Sequence, residues 1–431
     1  MNWKPLALLA GVTITFTLQI TAADWPQYRG PSHDGVCPDK ISQAWPEAGL
    51  HQFWKKPLKD GFSSFAVGGG KVFTVVAREI ESANQEVAVA MDAATGTELW
   101  AVPMGIAKYD GGGDSGTQDN KGGDGPRSTP AVVGDHVYLY SSRMVLKCVE
   151  AATGKEVWSS DLIKDHGGRN IYWENAASPL VEDGLVFVAG GGNGEALMAF
   201  DAQTGKVAWK GQDDKMTQST PIAATILGVR QVIFLTQAGL VGVAPKTGNV
   251  LWRQAFPYKT STGISPVVSG DIVYCSAAYG VGAGAYRIAK NGAEFTSTQL
   301  WFEAGNGKAN HWSTPVVKDG YLYGICNQAA YGKAPLKCLE LATGKEMWSK
   351  PGFGPGGCLL VDGQLMILSD AGDLVLIKPV TTEYTEITRS HILAGKCWNV
   401  PAISNGRLYA RSTKEGVCLD ISPKGGSGGA E

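Results

Sequence analysis

One pattern recurs along this chain and limits what it can become: a small or acidic residue, two variable positions, Thr-Gly, and a Trp four residues after the Gly. Five segments carry it, ending in Thr95-Gly96 with Trp100, Thr153-Gly154 with Trp158, Thr204-Gly205 with Trp209, Thr247-Gly248 with Trp252, and Thr343-Gly344 with Trp348. A degenerate sixth has Asn291-Gly292 and a later Trp301, so successive Trp residues stand 58, 51, 43, 49 and 47 positions apart. Self-similarity at a period of about 20–50 residues marks a repeat architecture and overrides any domain count taken from length alone.

Each unit has the same internal order. A Ser/Thr-Pro step opens an apolar run, at Thr129-Pro130, Ser178-Pro179, Thr220-Pro221, Ser265-Pro266 and Thr314-Pro315. A Gly/Asp turn, a Val/Tyr/Leu-rich stretch and a third strand lead to the Thr-Gly turn, with the Trp on a fourth strand. The alternating β-rich segments lack the period of 3.6 that an α-solenoid needs. Four short strands and Gly-rich turns per unit predict a propeller blade. Glycine and proline make up 78 of 431 residues, and hydrophobic residues still reach 44%, which excludes a disordered chain.

Six units bear Trp. A seventh runs from Gly357 to Leu376 without one, and an eighth starts at Asn399-Val400-Pro401 and stops three strands in, at Asp420. The missing strand is available at the other end, where Gln52-Phe53-Trp54-Lys55 precedes the first unit. The predicted fold is all-β: an eight-bladed propeller of four-stranded blades, the last closed by an N-terminal strand. Such closure leaves no open sheet edge for aggregation. The expected organisation is a signal peptide at 1–23, an N-terminal extension at 24–49, the propeller at 50–422 and a flexible Gly-rich tail at 423–431. Lys4, an apolar stretch to Ile20 and Thr21-Ala22-Ala23 fit an export leader cleaved after Ala23, hence a periplasmic or secreted protein. No later apolar run is long enough to span a membrane. The formal charge of −2 argues against nucleic acid as a partner, because phosphate binding needs an excess of Lys and Arg. The chain is expected to be a monomer.

The unit acidic-x-x-Thr-Gly-x3-Trp resembles the pyrroloquinoline quinone (PQQ) repeat of quinoprotein alcohol dehydrogenase-like propellers. Asp24-Trp25-Pro26-Gln27-Tyr28-Arg29-Gly30-Pro31 resembles the opening signature of exported bacterial PQQ-like repeat proteins, and Gly125-Pro126-Arg127-Ser128-Thr129-Pro130 their second-blade opening. The resemblance covers nearly the whole chain after residue 23 and implies the propeller fold. It implies two functions, because the superfamily holds both dehydrogenases and non-catalytic scaffolds, one of them the lipoprotein subunit of the outer-membrane β-barrel assembly machinery. A dehydrogenase of this type holds PQQ between a Trp and a vicinal disulfide, beside a calcium ion with Glu, Asn and Asp ligands. This chain has no Cys-Cys dipeptide, no C-x-x-C-H haem motif and no long insertions. The leading reading is therefore a binding or scaffold protein for a protein partner or a small polar ligand. The alternative is a PQQ- and calcium-dependent alcohol or sugar dehydrogenase.

Residues just before the inner strands should ring one channel mouth: Arg127, Trp173, Glu174, Asn175, Gln218, His311, Trp312, Trp398 and Asn399. Glu174 and Asn175 offer oxygen ligands for calcium. No residue is assigned a catalytic role. Trp54, Trp100, Trp158, Trp209, Trp252, Trp301 and Trp348 are expected to dock neighbouring blades, since every repeat must bury a face. The loop from Tyr109 to Gly125, rich in Gly and Asp, reads as solvated. Cys148, Cys338 and Cys418 hold one place in three blades and read as small core residues. Two pairs remain candidates for disulfides, Cys326 with Cys338 and Cys358 with Cys397.

Overall fold

Short β-branched and aromatic runs bounded by positive-φ turn residues fold the chain into eight sheets, seven of four antiparallel strands and one in which four such strands gain a parallel fifth. This computed structural model describes residues 24–106, 123, 125–327 and 333–423. The blades span residues 66–106, 131–161, 180–211, 222–255, 267–303, 316–350, 357–391 and 402–420, numbered 1 to 8 below. Gln52–Pro57 supplies the outer strand of blade 8, pairing antiparallel with Glu415–Asp420 so that Trp54 lies opposite Cys418. The ring is thus closed by the N-terminal strand. Among the described residues the one helix is Leu162–His166, and no helix is long and apolar enough to cross a membrane. The leader assigned to 1–23, the tail from 424 and the loop at 109–125, except Gly123 and Gly125, lie outside the described residues.

The repeat motif encodes an interblade lock. Trp158 donates its indole N–H to Ala202 O of the next blade at 2.9 Å, and its ring lies so close to Gly205 that a Cβ there would stand 2.5 Å away. Trp54, Trp100, Trp209 and Trp301 repeat both contacts, donating to Ala93, Ala151, Pro245 and Leu341 and covering Gly96, Gly154, Gly248 and Gly344. Trp348 donates to Val380 O of blade 7. Trp252 differs. It is buried at the interface with blade 5 but donates to Gln231 within its own blade, because the hairpin of blade 5 runs on to Asn291-Gly292 and brings no turn glycine beneath the indole.

The Ser/Thr-Pro steps form a second seam. The backbone N–H of Val400 donates to Ser64 Oγ, Ser64 N to Thr129 Oγ1, Thr129 N to Ser178 Oγ, and Ser178 N to Thr220 Oγ1, at 2.8–3.2 Å. Each hydroxyl therefore ties its blade to the preceding one around the channel. Ser265 N continues the seam to Thr314 Oγ1 at 3.0 Å.

All eight cysteines are buried and free, which corrects both disulfide candidates. The hairpin of blade 6 pairs Tyr323 with Cys338, and Cys326 N donates to Pro335 O, so the register sets Cys326 three positions from Cys338. Cys358 and Cys397 belong to different core clusters, on either side of blade 7. Cys148, Cys338 and Cys418 each sit between a Tyr and a Trp on flanking strands, where only a small side chain fits.

The segment before the ring crosses the far end of the channel. Trp25 bridges Val67 of blade 1, Pro26 O accepts from Val132 N of blade 2, and Gln27 exchanges two bonds with Val181 of blade 3. Arg29, 1% exposed, donates to Thr314 O and Pro315 O of blade 6 at 2.8 Å. Val36–Cys37 then runs parallel to Leu360–Val361 of blade 7. Glu182 fastens this plug to blade 3: His33 Nε2 stands 3.5 Å from it, and Arg230 Nε donates to it at 2.6 Å. His33 first, then Arg230, hold the Glu182 carboxyl down at about 2. A depressed carboxylate contributes stability above its unfolded value, about 4.3, and loses it as pH falls toward 2. Glu182→Gln should therefore lower the urea midpoint at about pH 7, and the gap to wild type should shrink steadily below about pH 4. A gap that stays constant with pH would show that the pair does not fasten the plug.

Candidate functional site

The connections entering inner strands and the turns between second and third strands meet at the mouth opposite the plug, around a cavity of about 370 Å³. Its walls bring together Arg127, Trp173, Gln218, His311, Trp312, Trp398 and Asn399, while Tyr28 of the plug reaches the cavity from the far end. Phe62 and Tyr279 also line it, and sequence reasoning missed both. Tyr279 lies in a turn between second and third strands, and Phe62 precedes a blade that has no Ser/Thr-Pro step.

One side of the cavity is a continuous arc of rings. Phe62 stacks on Trp398 at 5.1 Å between centroids, and Trp398 on Trp312 at 5.2 Å. Trp312 is followed by His311 at 4.4 Å, and His311 meets the edge of Tyr279 at 4.9 Å. Blade 7 makes this possible. Its entering loop, Gly354-Pro355-Gly356, is small, and Trp312 anchors to Pro355 O through its indole N–H at 3.1 Å. Lys396 Nζ lies 4.9 Å from the centroid of the Trp398 ring, within range of a cation–π contact.

The remaining side is polar. Arg127 Nη1 donates to Trp173 O at 2.8 Å, Gln218 Nε2 donates to Glu174 O at 2.8 Å, and Gln218 Oε1 accepts from Ser261 Oγ. Asn399 is 7% exposed, and neither its amide nitrogen nor its amide oxygen has a hydrogen-bond partner. Ser313, in the same wall, has an unpartnered Oγ at 2% exposure. Buried polar groups are satisfied as a rule, and exceptions call for an explanation.

Glu174 and Asn175 do not join the cavity. Glu174 adopts φ 65°, which turns its side chain to Arg143 at 3.3 Å and to the Asn170 amide at 2.7 Å. Asn175 spends its amide on Ser141 O, Ala177 O and Ala177 N. Among the described residues the cavity wall contains no carboxylate, and no three His, Cys, Asp or Glu side chains gather to hold a metal. This donor set does not fit a calcium ion, which takes hard oxygen ligands. Burial pushes the His311 imidazole down to about 3, which favours its uncharged form near neutral pH.

Residues 83–350 match the family model described as outer membrane protein assembly factor BamB. A protein of that name from Burkholderia pseudomallei is 22% identical over 257 residues, 59% of this chain and 63% of the relative, so the match spans less than two thirds of that protein. Quinohemoprotein alcohol dehydrogenase ADH IIB of Pseudomonas putida is 31% identical over 126 residues, 28% of this chain and 17% of that enzyme. Among solved structures, BamB from Moraxella catarrhalis superposes with a TM-score of 0.59 at 13% identity, over 89% of this chain and 99% of that one. This likeness concerns the fold alone.

Proposed function

This chain belongs to the BamB family of PQQ-repeat propellers, and from that premise we propose that it binds another protein at the channel mouth. We place it at the periplasmic side of the outer membrane, as an exported monomer. The observation that carries the reading is the cavity wall itself: an aromatic arc and a guanidinium beside buried polar groups, Asn399 and Ser313, that lack partners. Aromatic residues and Arg dominate the energetics of protein interfaces. Tyr172 is 72% exposed beside Trp173, and Tyr279 is 44% exposed beside His311, so the arc continues outward to surfaces a partner can reach. Relatives named for outer membrane protein assembly suggest the partner class, polypeptides bound for that membrane.

The test uses the purified protein and an outer-membrane β-barrel polypeptide diluted from urea. Saturable binding is expected, weakened about tenfold or more by the Tyr172→Ala, Tyr279→Ala pair, as loss of interface anchors would require. With added calcium, PQQ and an alcohol, the protein should not reduce a dye. Quinone-dependent dye reduction without polypeptide binding would replace this reading with the dehydrogenase one.

A further inference from the structure

We propose that the inner strand of blade 4 is a docking edge for an extended segment of another polypeptide, which adds to it at the far face as the plug adds to blade 7. The site lies at the opposite end of the channel from the mouth and does not depend on it. Inner strands are three residues long in six blades and five residues long in two, Ile222–Ile226 of blade 4 and Gly357–Val361 of blade 7. Blade 7 uses the extra length: Val36–Cys37 lies along it as a parallel fifth strand. Blade 4 has the same length, and its sheet ends at Ile222–Ile226.

Strand register shows what that edge presents. In an antiparallel hairpin alternate pairs exchange backbone hydrogen bonds, and the residues of the other pairs turn N–H and C=O outward. The two-residue turn Leu227-Gly228 joins Ile226 to Val229, so the pair Thr225 and Arg230 is one that faces outward. The plug bears this out where it meets inner strands. Val67, Val132, Val181 and Leu360 hold the place of Thr225, second before the turn, and their N–H groups donate to Trp25 O, Pro26 O, Gln27 Oε1 and Gly35 O at 2.7–3.1 Å. Asp362, at φ 48°, donates likewise to Cys37 O at 3.0 Å, and Leu227 repeats that turn position at φ 50°. Every one of these acceptors is an amide oxygen, the group a peptide segment would bring. In blade 4 the same two places are reachable, since Thr225 is exposed and Leu227 is 45% exposed. Among the described residues no plug oxygen accepts from either N–H.

The plug also leaves the room. It passes from blade 3 at Gln27 to blade 6 at Arg29, and beside blades 4 and 5 a cavity of about 270 Å³ remains. Ala223, Ala224 and Thr225 form one wall, and Pro266, Val267 and Val268 of blade 5 form another. The guanidiniums at its rim are already bonded, Arg230 to Glu182 and Arg29 to the carbonyls of Thr314 and Pro315. Recognition therefore falls on the ligand backbone, with a small or β-branched side chain against the aliphatic wall. Strand addition of this kind draws its affinity from main-chain hydrogen bonds.

The probe is the pentapeptide Thr-Val-Thr-Val-Thr, labelled with fluorescein at its N-terminus and amidated at its C-terminus. An otherwise identical peptide, N-methylated at every amide, cannot enter a ladder. Anisotropy should saturate with the first and stay flat with the second. Thr225→Pro removes the outward N–H and spares the bonds that Ala224 and Ile226 make within the blade, as an edge position allows. It should weaken binding about tenfold or more, while Thr225→Ala, which keeps the N–H, should bind within about twofold of wild type. Melting curves identify a variant that fails to fold. Should Thr225→Pro do so, Val268→Trp replaces it; the indole fills the cavity from blade 5 and should also weaken binding about tenfold or more.

Amide hydrogen exchange reads the edge independently. In the free protein Thr225 and Leu227 should exchange about tenfold or more faster than Leu360 and Asp362, and saturating probe should slow them to the range of that pair. Equal protection of the two pairs in the free protein overturns the assignment. So does binding of the N-methylated peptide as tightly as its parent, or a folded Thr225→Pro or Val268→Trp variant that binds like wild type. No saturation by the probe up to about 1 mM overturns it as well.

Discussion

Gly205→Ala should cripple this propeller, while Gly194→Ala, in the same blade, should be tolerated. The two glycines have nearly the same backbone, φ 68° and φ 69°. Left-handed geometry therefore charges an alanine similarly at each, about 1–2 kcal/mol. Their surroundings differ. A Cβ on Gly194 meets nothing within 4 Å, whereas one on Gly205 falls 2.5 Å from Trp158. That ring cannot retreat: it is 9% exposed, bonded to Ala202 O and packed on Tyr138. Overpacking of this kind adds about 1–3 kcal/mol, and the loss falls on the joint between blades 2 and 3. Urea midpoints for both variants, repeated in a Trp158→Leu background, isolate the clash. Shrinking the ring should bring the cost of Gly205→Ala down to that of Gly194→Ala, because contacting residues couple. Equal costs in the wild-type background would mean that the Thr-Gly turn is an ordinary turn and not a lock.

That lock explains why the fold could be read from sequence. Gly205 and Trp158 stand in consecutive units, yet each is fixed by the other, so the spacing of the motif carries the interblade geometry as well as the strand count. Cys148, Cys338 and Cys418 were legible for the same reason, sharing one register position between two rings. Other features left weaker traces. The hydroxyls of Ser178 and Thr220 looked like strand openings, because a hydrogen bond to the preceding blade has no signature within its own unit. Trp25 to Cys37 matched a family signature, but nothing local in the segment shows that it lies across a channel. At the mouth, residues next to inner strands could be located by counting, as with Arg127 and Trp398. Glu174 could not, since its positive φ reverses a direction that counting takes for granted. Tyr279 was missed because second-to-third-strand turns also rise to that face.

Trp54→Ala should be among the most damaging single substitutions at the ring's seam, and Phe53→Ala beside it among the mildest. Trp54 is 4% exposed and Phe53 39% exposed, since alternate residues of a strand face opposite sides. Trp54 packs on Tyr409 of its own blade and on Phe65 next to blade 1, and donates to Ala93 O of blade 1 at 3.0 Å. Truncating such a side chain costs about 3–5 kcal/mol. Phe53 mainly carries the Arg407 guanidinium, 4.2 Å from its ring centroid, a contact worth about 0.5–1 kcal/mol at an exposed site. The same seam holds Arg411, fully buried, which donates to Thr74 Oγ1 and Val75 O at 2.9 Å and to Lys59 O at 2.8 Å. Burial draws its pKa down to about 9, still above neutral, so a charged group spans blades 8 and 1 on carbonyl oxygens and a hydroxyl. Loss of Trp54 should thus loosen two blades together. Removing residues 24–58 altogether should leave Glu415–Asp420 as a bare edge strand and make the chain aggregate. A synthetic peptide covering residues 46–60 should return the truncated chain to the elution position of the intact protein on size-exclusion chromatography, and the same peptide with Trp54→Ala should not. If the truncated chain elutes and melts like the intact one, the outer strand of blade 8 is dispensable and the ring is held by its other seven joints.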